Sequence, residues 1–511
     1  MRRSPSEDLF RLIKSLHKGE KRTFKLLTGL LAGGRDKRYT TLFDLIDRQD
    51  TYNESKLMKH FGDLTGSQFS AGKNYLYRFI LKSLVYYDTD PEAEVAQLIA
   101  QVRMLARKEL YPQARKMLRK ALKISREGEF FSSQHSLLSI ELDILINEQH
   151  ERQMESQIEE IDEAKQLALK RLHNLDAYIA LNSRMYTLMN RRRVARDDQD
   201  IESYRAIADH PLLESPARAL SVRAEIEYWT VQAKLASFRD DLKGAVELNR
   251  GVLELLEKHD AIRGRMLRRY FLEVSTLGIH LLKMADYENA FAVLERFREL
   301  KENYPKVRAN YFPLYFIANM TLAVQLGEVE RIQPILEEID VFWNEIHART
   351  PGWHEMLLSY LVAHHYLNTG EPSKALRWVN LIVNSPRSDL RIYLQGFARL
   401  LVLMVHFDLG NYSVVESSHD SARRFLQKHG RMHRFEKTVL KSFRTMVKHV
   451  NTPQYRRELE LLFQEFRALA QDEFEQRAFS FLDFGEWLEG KLNDTDIAAL
   501  RRGRSTQKWP D

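Results

Sequence analysis

Histidine is the side chain best placed to do acid–base or metal chemistry in this chain, whose 511 residues include 17 His and no Cys. Without thiols there is no disulfide, no thiolate metal site and no cysteine nucleophile. The histidine spacings argue against a metal. His354-Glu355 begins like a zinc-protease motif, but the second histidine would fall where Leu358 stands. His364 and His365 are adjacent, so on a helix they diverge by about 100° and cannot face one ion. His429 and His433 have the four-residue spacing of a shared face, yet Gly430 between them reads as a helix end and Arg431 and Arg434 would repel a cation. Phosphate chemistry fares no better. Gly33-Gly34-Arg35-Asp36-Lys37-Arg38 lacks the spacing and the Lys-Ser/Thr ending of a phosphate loop, and no Gly-x-Ser-x-Gly elbow is present. The basic run Asn190–Arg196 is followed at once by Asp197, Asp198 and Asp200, which reads as self-neutralising. Carboxylates elsewhere are intermixed with Lys and Arg, as on solvated helix faces. The expectation is a non-enzyme with no catalytic residue, no metal and no cofactor.

The net charge of +7 is concentrated at one end. Residues 1–40 hold 11 Lys or Arg against 4 Asp or Glu, and the remaining chain carries 67 of each sign. Nucleic-acid contacts are therefore sought in the first helices, at Lys14, Lys18, Lys21, Arg22 and Lys25. Glu54–Phe61, a loop over 62–66, and a long helix to Tyr87 carrying Lys73, Arg78 and Lys82 look like a helix-turn-helix, with Ser67 or Ser70 as the cap. The loop is longer than the usual turn, however. The second helix is also very apolar, at Tyr75, Leu76, Phe79, Ile80, Leu81, Leu84, Val85 and Tyr86, which favours packing as a cap on the first repeat over reading a DNA groove.

The elements that must position these residues are helices. The chain has only 13 Pro and 21 Gly, and no run of alternating β-branched residues bounded by hairpin signals. No apolar run approaches the length of a membrane span, and Arg11, Lys14 and Lys18 interrupt any signal-peptide core. A cytoplasmic protein without membrane contact is the expectation. The clearest unit is Val274 to Pro305. Val274, Leu277, Gly278 and Leu281 share one helical face, Ala285-Asp286-Tyr287 breaks the pattern, and Ala290, Leu294 and Phe297 resume it on a second helix. Gly278 and Ala290 are the small residues that let two backbones approach.

This stretch resembles the tetratricopeptide (TPR) repeat, with its large-x-x-Leu-Gly-x-x-large first helix and its Tyr-x-x-Ala-x-x-x-large-x-x-small second helix. It departs from that pattern at Phe297, where a small residue is usual, and at Pro305, which comes a turn late, so longer helices are expected. The small position of the second helix recurs at 114, 245, 290, 332, 375 and 415, the last five 40 to 45 residues apart. Two degenerate copies are expected in the gap after 114, with second helices near Ile158–Leu172 and Ile201–Ala208. The fold expected is all-α, a right-handed α-α superhelix of TPR-like helix pairs with a period of about 42 residues. An N-terminal helical module covers 1–90, the repeats 91–451, C-terminal capping helices 452–500 and a flexible tail 501–511. The resemblance implies a groove lined by first-helix positions Thr230, Lys234, Ser275, Lys283, Tyr360, His364 and Asn368, which would take a protein or peptide partner. The whole chain is also similar to bacterial TPR-like helical-repeat proteins, through Leu12–Leu26 (LIKSLHKGEKRTFKL) and Lys73–Leu84 (KNYLYRFILKSL). That family supplies no activity. The function expected is a scaffold or adaptor. The alternative is a transcriptional regulator with an N-terminal DNA-binding module and TPR-like sensor or oligomerisation repeats.

Overall fold

The computed structural model describes residues 7–31, 37–62, 64–88, 90–148, 154–192, 194–303, 308–327, 332–349, 352–385 and 391–504. All regular structure among them is helical. The chain divides into two compact units, residues 1–169 and 170–511.

The first unit contains α1 (Asp8–Ser15), α2 (Lys18–Leu31), α3 (Lys37–Asp47), α4 (Glu54–His60), α5 (Gly66–Tyr87), α6 (Pro91–Arg107), α7 (Tyr111–Glu127) and α8 (Phe131–Glu148). Helices α1 to α5 share a core of Leu9, Ile13, Phe24, Phe43, Leu57, Phe69, Leu76 and Ile80, in which Phe24 and Phe43 stack at 4.5 Å. Helix α5 is capped not by Ser67 or Ser70 but by Thr65. Its hydroxyl accepts from Gln68 N while the Gln68 side chain accepts from Thr65 N, the reciprocal pairing that satisfies two otherwise orphan donors. Asp90 accepts from Glu92 N and Pro91 opens α6, where φ is already set for a helix. Helices α6 to α8 build a second core on Val95, Leu98, Val102, Ala114, Leu118, Ala121, Leu137 and Ile144.

Helix α9 (Met154–Arg192) contains the division between the units and runs for 39 residues without a break. The degenerate pair expected around Ile158–Leu172 is therefore absent. No Pro lies between Pro112 and Pro211 and no Gly between Gly128 and Gly244, so nothing stops the helix at a repeat boundary. Ile201–Ala208 falls in the short α10 (Asp198–Ala208), followed by single turns at Pro211–Leu213 and Pro216–Arg218.

Regular pairs fill the second unit: α11 (Val222–Phe238) with α12 (Leu242–Lys258), then, after the short α13 (Asp260–Arg265), α14 (Leu267–Lys283) with α15 (Tyr287–Asn303), α16 (Arg308–Leu326) with α17 (Gln333–Arg349), α18 (Gly352–Asn368) with α19 (Pro372–Val383), and α20 (Ile392–Asp408) with α21 (Tyr412–Lys428). Most of these helices have 17 residues, between four and five turns. First helices begin at 222, 267, 308, 352 and 392, so the period is 40 to 45 residues. Each packs on its own partner, and α14, α16, α18 and α20 also pack on one another in series. Ala245, Ala290, Ala375 and Val415 hold the same position in α12, α15, α19 and α21 and are all fully buried, whereas Ile332, expected to be equivalent, is buried one residue before α17 begins. Phe297 fills the space between Phe271, at 5.7 Å, and Tyr315, at 6.0 Å, which explains why a large residue stands at a usually small position.

One device makes most of the turns. Asp240, Ala285, Gly370 and Gly410 take left-handed φ values of 67°, 56°, 73° and 72°, two residues before the next helix begins. The following amide then reaches back five residues, as Asp286 N does to Leu281 O at 3.0 Å and Glu371 N to Tyr366 O at 2.8 Å. This satisfies a carbonyl at the end of the first helix and reverses the chain.

The chain closes with α22 (Arg434–His449), α23 (Tyr455–Leu469), α24 (Gln476–Phe479), α25 (Phe484–Asn493) and α26 (Ile497–Arg504). Their aromatics do cover apolar surface: Phe484 lies 4.8 Å from Phe466 and 5.4 Å from Phe443, and Trp487 lies 5.6 Å from Phe407. The segment then continues across the first helices to α16, where Arg502 donates to Gly327 O at 2.9 Å and Arg501 to Val324 O. Residues 501–504, expected within a flexible tail, are thus the last turn of α26, held by arginines that find helix-end carbonyls. No described helix is long and apolar enough to cross a membrane.

Candidate functional site

The first helices of the second unit enclose one side of a cavity of about 530 Å³. Because a first helix repeats its register every period, the positions that face inward come from equivalent turns of α11, α14, α16 and α18. Thr230 and Lys234 arrive from α11, Ser275 and Lys283 from α14, Tyr360 and His364 from α18. Six of the seven groove candidates therefore line one space. The seventh, Asn368, is buried at the end of α18 and is not part of the lining.

The repeat resemblance implies an open groove; here the far wall is the chain's own C-terminal segment. Phe479, Ser480, Phe481, Asp483 and Arg501 face the first helices. Tyr360 Oη donates to Phe481 O at 2.7 Å, and its oxygen lies 3.1 Å from His364 Nε2. The single Tyr360 hydrogen is spent on Phe481, so His364 carries its proton on Nε2 and donates to Tyr360. Lys283 Nζ sits 5.8 Å above the Phe481 ring. Tyr360 and His364 are consequently tied to the chain itself. The sequence signal for this wall is the aromatic run at 479–484, which by itself reads only as a cap.

The other end of the cavity is polar. Lys234 donates to Asn182 Oδ1 at 2.5 Å, and Asn182 passes its amide hydrogen to Glu227. Arg269 then bridges Glu227, at 3.6 Å, and Glu273, at 2.6 Å, while Asn249 donates to Glu273 at 2.6 Å. Burial, with Arg269 nearby, pushes the Lys234 ammonium down to about 8, against the opposing pull of Glu273 and Glu227. Burial likewise pushes the Asp483 carboxyl up to about 6, with Glu486 adding to the effect. The lining also includes the apolar side chains of Ile279, Leu282, Ile317, Leu357 and Leu361.

Among the described residues the histidines do not come together as a metal-ligand set. His354, His364 and His365 are buried on one helix, and burial depresses them to about 3, 3 and 4. Among the described residues no three His, Asp or Glu side chains come together as a ligand set. His429 packs on Phe425 at 4.4 Å and His433 caps α22. Arg196 is not neutralised by its neighbouring aspartates. It is buried between Glu436 and Glu475, pairing with the latter at 2.8 Å, while Asp200 accepts from Arg196 N at 2.9 Å and faces Arg431 at 3.6 Å.

In the first unit the basic candidates are divided. Lys14 donates to Asp47 O at 2.7 Å, Lys21 pairs with Asp47 at 2.6 Å and Lys25 with Asp44 at 2.8 Å. Lys18 and Arg22 are exposed and have no ion-pair partner among the described residues. On α5, Lys73 is held by Glu54 at 2.5 Å, leaving Arg78 and Lys82 exposed among Tyr75, Leu81, Val85 and Tyr86.

Fold and site together define an all-helical protein of stacked helix pairs with a polar-ended, apolar-walled cavity. No family model, curated protein or solved structure matches the chain.

Proposed function

We propose that the chain is a non-enzymatic binding protein, a scaffold or adaptor, that holds a protein or peptide segment in the cavity of a TPR-like, right-handed helix-pair array. The observation that carries this is convergence: six positions that the repeat resemblance implies as groove-lining line a single space. Its volume lies within the range of ligand sites, and a mostly apolar wall with a few fixed polar groups is the usual chemistry of recognition. The covering C-terminal segment limits the occupant to a short stretch of side chains rather than a long strand threaded through a groove. The regulator reading draws less support, because binding phosphates with Lys21 and Lys25 would first break their pairs with Asp47 and Asp44.

The test uses a cavity-filling variant, since Thr276 lines the space without holding the C-terminal segment. A random peptide library is panned against the wild-type chain and against Thr276→Trp, with melting midpoints compared as the folding control. Sequences that bind the wild type and lose binding to Thr276→Trp are expected. Peptides that bind both forms equally would remove the cavity from the account.

A further inference from the structure

We infer that the polar end of this cavity is an anchor for a carboxylate, so that the ligand is an apolar chain ending in a free carboxyl group. The inference rests on the binding role proposed above and names its chemistry. Lys234 reaches the cavity from α11, and its hydrogen-bond partner is a neutral amide, Asn182 on α9. The two carboxylates nearest to it are already committed. Glu227 on the same helix is held by Asn182 and Arg269, and Glu273 on α14 by Arg269 and Asn249. Arg391, at the start of α20, adds a second cation to the lining on this side. Asp483, at the opposite wall, caps α25 by accepting from Glu486 N. Lys234 thus brings three donors, of which the fold uses one, and has no carboxylate of its own.

A ligand carboxylate would supply the missing counter-charge, and the apolar wall would take the chain behind it. The depressed Lys234 value agrees with this, since an ammonium short of counter-charge in a desolvated site gives up its proton more readily. The same chemistry is offered by the C-terminus of an apolar peptide and by a free medium-chain carboxylic acid, and the experiment separates them.

Three probes are titrated calorimetrically into the full chain: a hexapeptide ending in Leu-Val-Leu with a free C-terminus, its C-terminal amide, and decanoate. A preference of roughly tenfold or more for the free acid over the amide is expected, the size of one charge-assisted hydrogen bond in a desolvated site. Lys234→Met should abolish the preference while leaving amide binding in place, and Lys234→Arg should keep it; circular dichroism checks that both variants fold. Free-acid and amide peptides binding equally well to the wild type would overturn the carboxylate anchor and leave the peptide-binding reading standing. Decanoate binding that depends on Lys234, with neither peptide bound, would support the anchor and overturn the peptide reading. A chain that binds none of the three, or whose preference survives Lys234→Met, overturns the inference.

Discussion

Acid should loosen the second unit chiefly through helix α18, whose three buried histidines carry the large shifts. His354, His364 and His365 are buried neutral, each depressed first by burial; Arg268 and Arg391 add to this for His354, Arg501 for His364 and Lys374 for His365. In the unfolded chain each would titrate near 6.5, so below that pH the unfolded state binds protons that the fold refuses. Their stabilising contribution is therefore present above about pH 6.5 and lost as pH falls toward their folded values. Asp483 works in the opposite sense. Raised to about 6, it takes up a proton in the fold before the unfolded chain does, so it favours the fold at low pH and loses that advantage as pH rises through 6. Near pH 5 these three histidines outweigh Asp483, and His406, His419 and His429, also lowered first by burial, act in the same direction, so the second unit should lose on the order of a few kcal/mol between pH 7 and pH 5. All six tryptophans, at 229, 343, 353, 378, 487 and 509, lie in the second unit, so urea unfolding followed by tryptophan fluorescence reads that unit alone. His364→Gln should reduce the acid-induced loss by about 2 kcal/mol, and Asp483→Asn, which keeps an α25 cap, should steepen it. Equal pH profiles for wild type and His364→Gln would refute the reasoning.

The packing carries three further expectations. Glu475→Gln removes the charge that accepts from Arg196, Arg434 N and Phe435 N, and should destabilise the second unit by about 3 kcal/mol in the same fluorescence assay; a loss below about 1 kcal/mol would contradict the buried ion pair. Ala285→Gly relieves a left-handed alanine and should raise stability by about 0.5–1 kcal/mol, whereas an unchanged or lowered urea midpoint would argue against that turn geometry. Gly278→Leu should cost about 1–3 kcal/mol, because even a Cβ there would lie 3.3 Å from a Val293 methyl; an unchanged melting midpoint would count against the α14–α15 contact.

The helix pairs are legible in the sequence because their signal is local. Val274, Leu277, Leu281, Ala290 and Leu294 lie within a few turns of one another, and every one of them is buried. Register then carries the first-helix positions from one pair to the next, which is how the repeat resemblance implies Thr230, Ser275 and Tyr360 as one set. Breaks in the repetition are harder to read. Helix α9 spans two expected repeats because its sequence contains no stop, and an absent signal looks the same as a degenerate one. The break at Ala285-Asp286-Tyr287 is legible, but the left-handed backbone at Ala285, like that at Asp240, is not, because neither residue is glycine. Least legible are contacts distant in the chain. Arg196 and Glu475 are 279 positions apart, and Phe481 lies 121 beyond Tyr360, separations over which no periodicity connects residue types. Those contacts turn an expected groove into a covered cavity.

The absence of cysteine allows the most direct test of that cavity as the binding site, because a single introduced thiol is the only one in the molecule. Thr276→Cys places it in the lining and Lys428→Cys places a control on the exposed end of α21. The measurement is the alkylation rate of each thiol with and without a saturating peptide selected on the wild-type chain. Occupancy of the cavity predicts slowing of roughly tenfold at position 276 and none at 428, as expected where a site buries most of its ligand's surface. Equal rates at 276 with and without bound peptide would place the partner elsewhere and contradict the account.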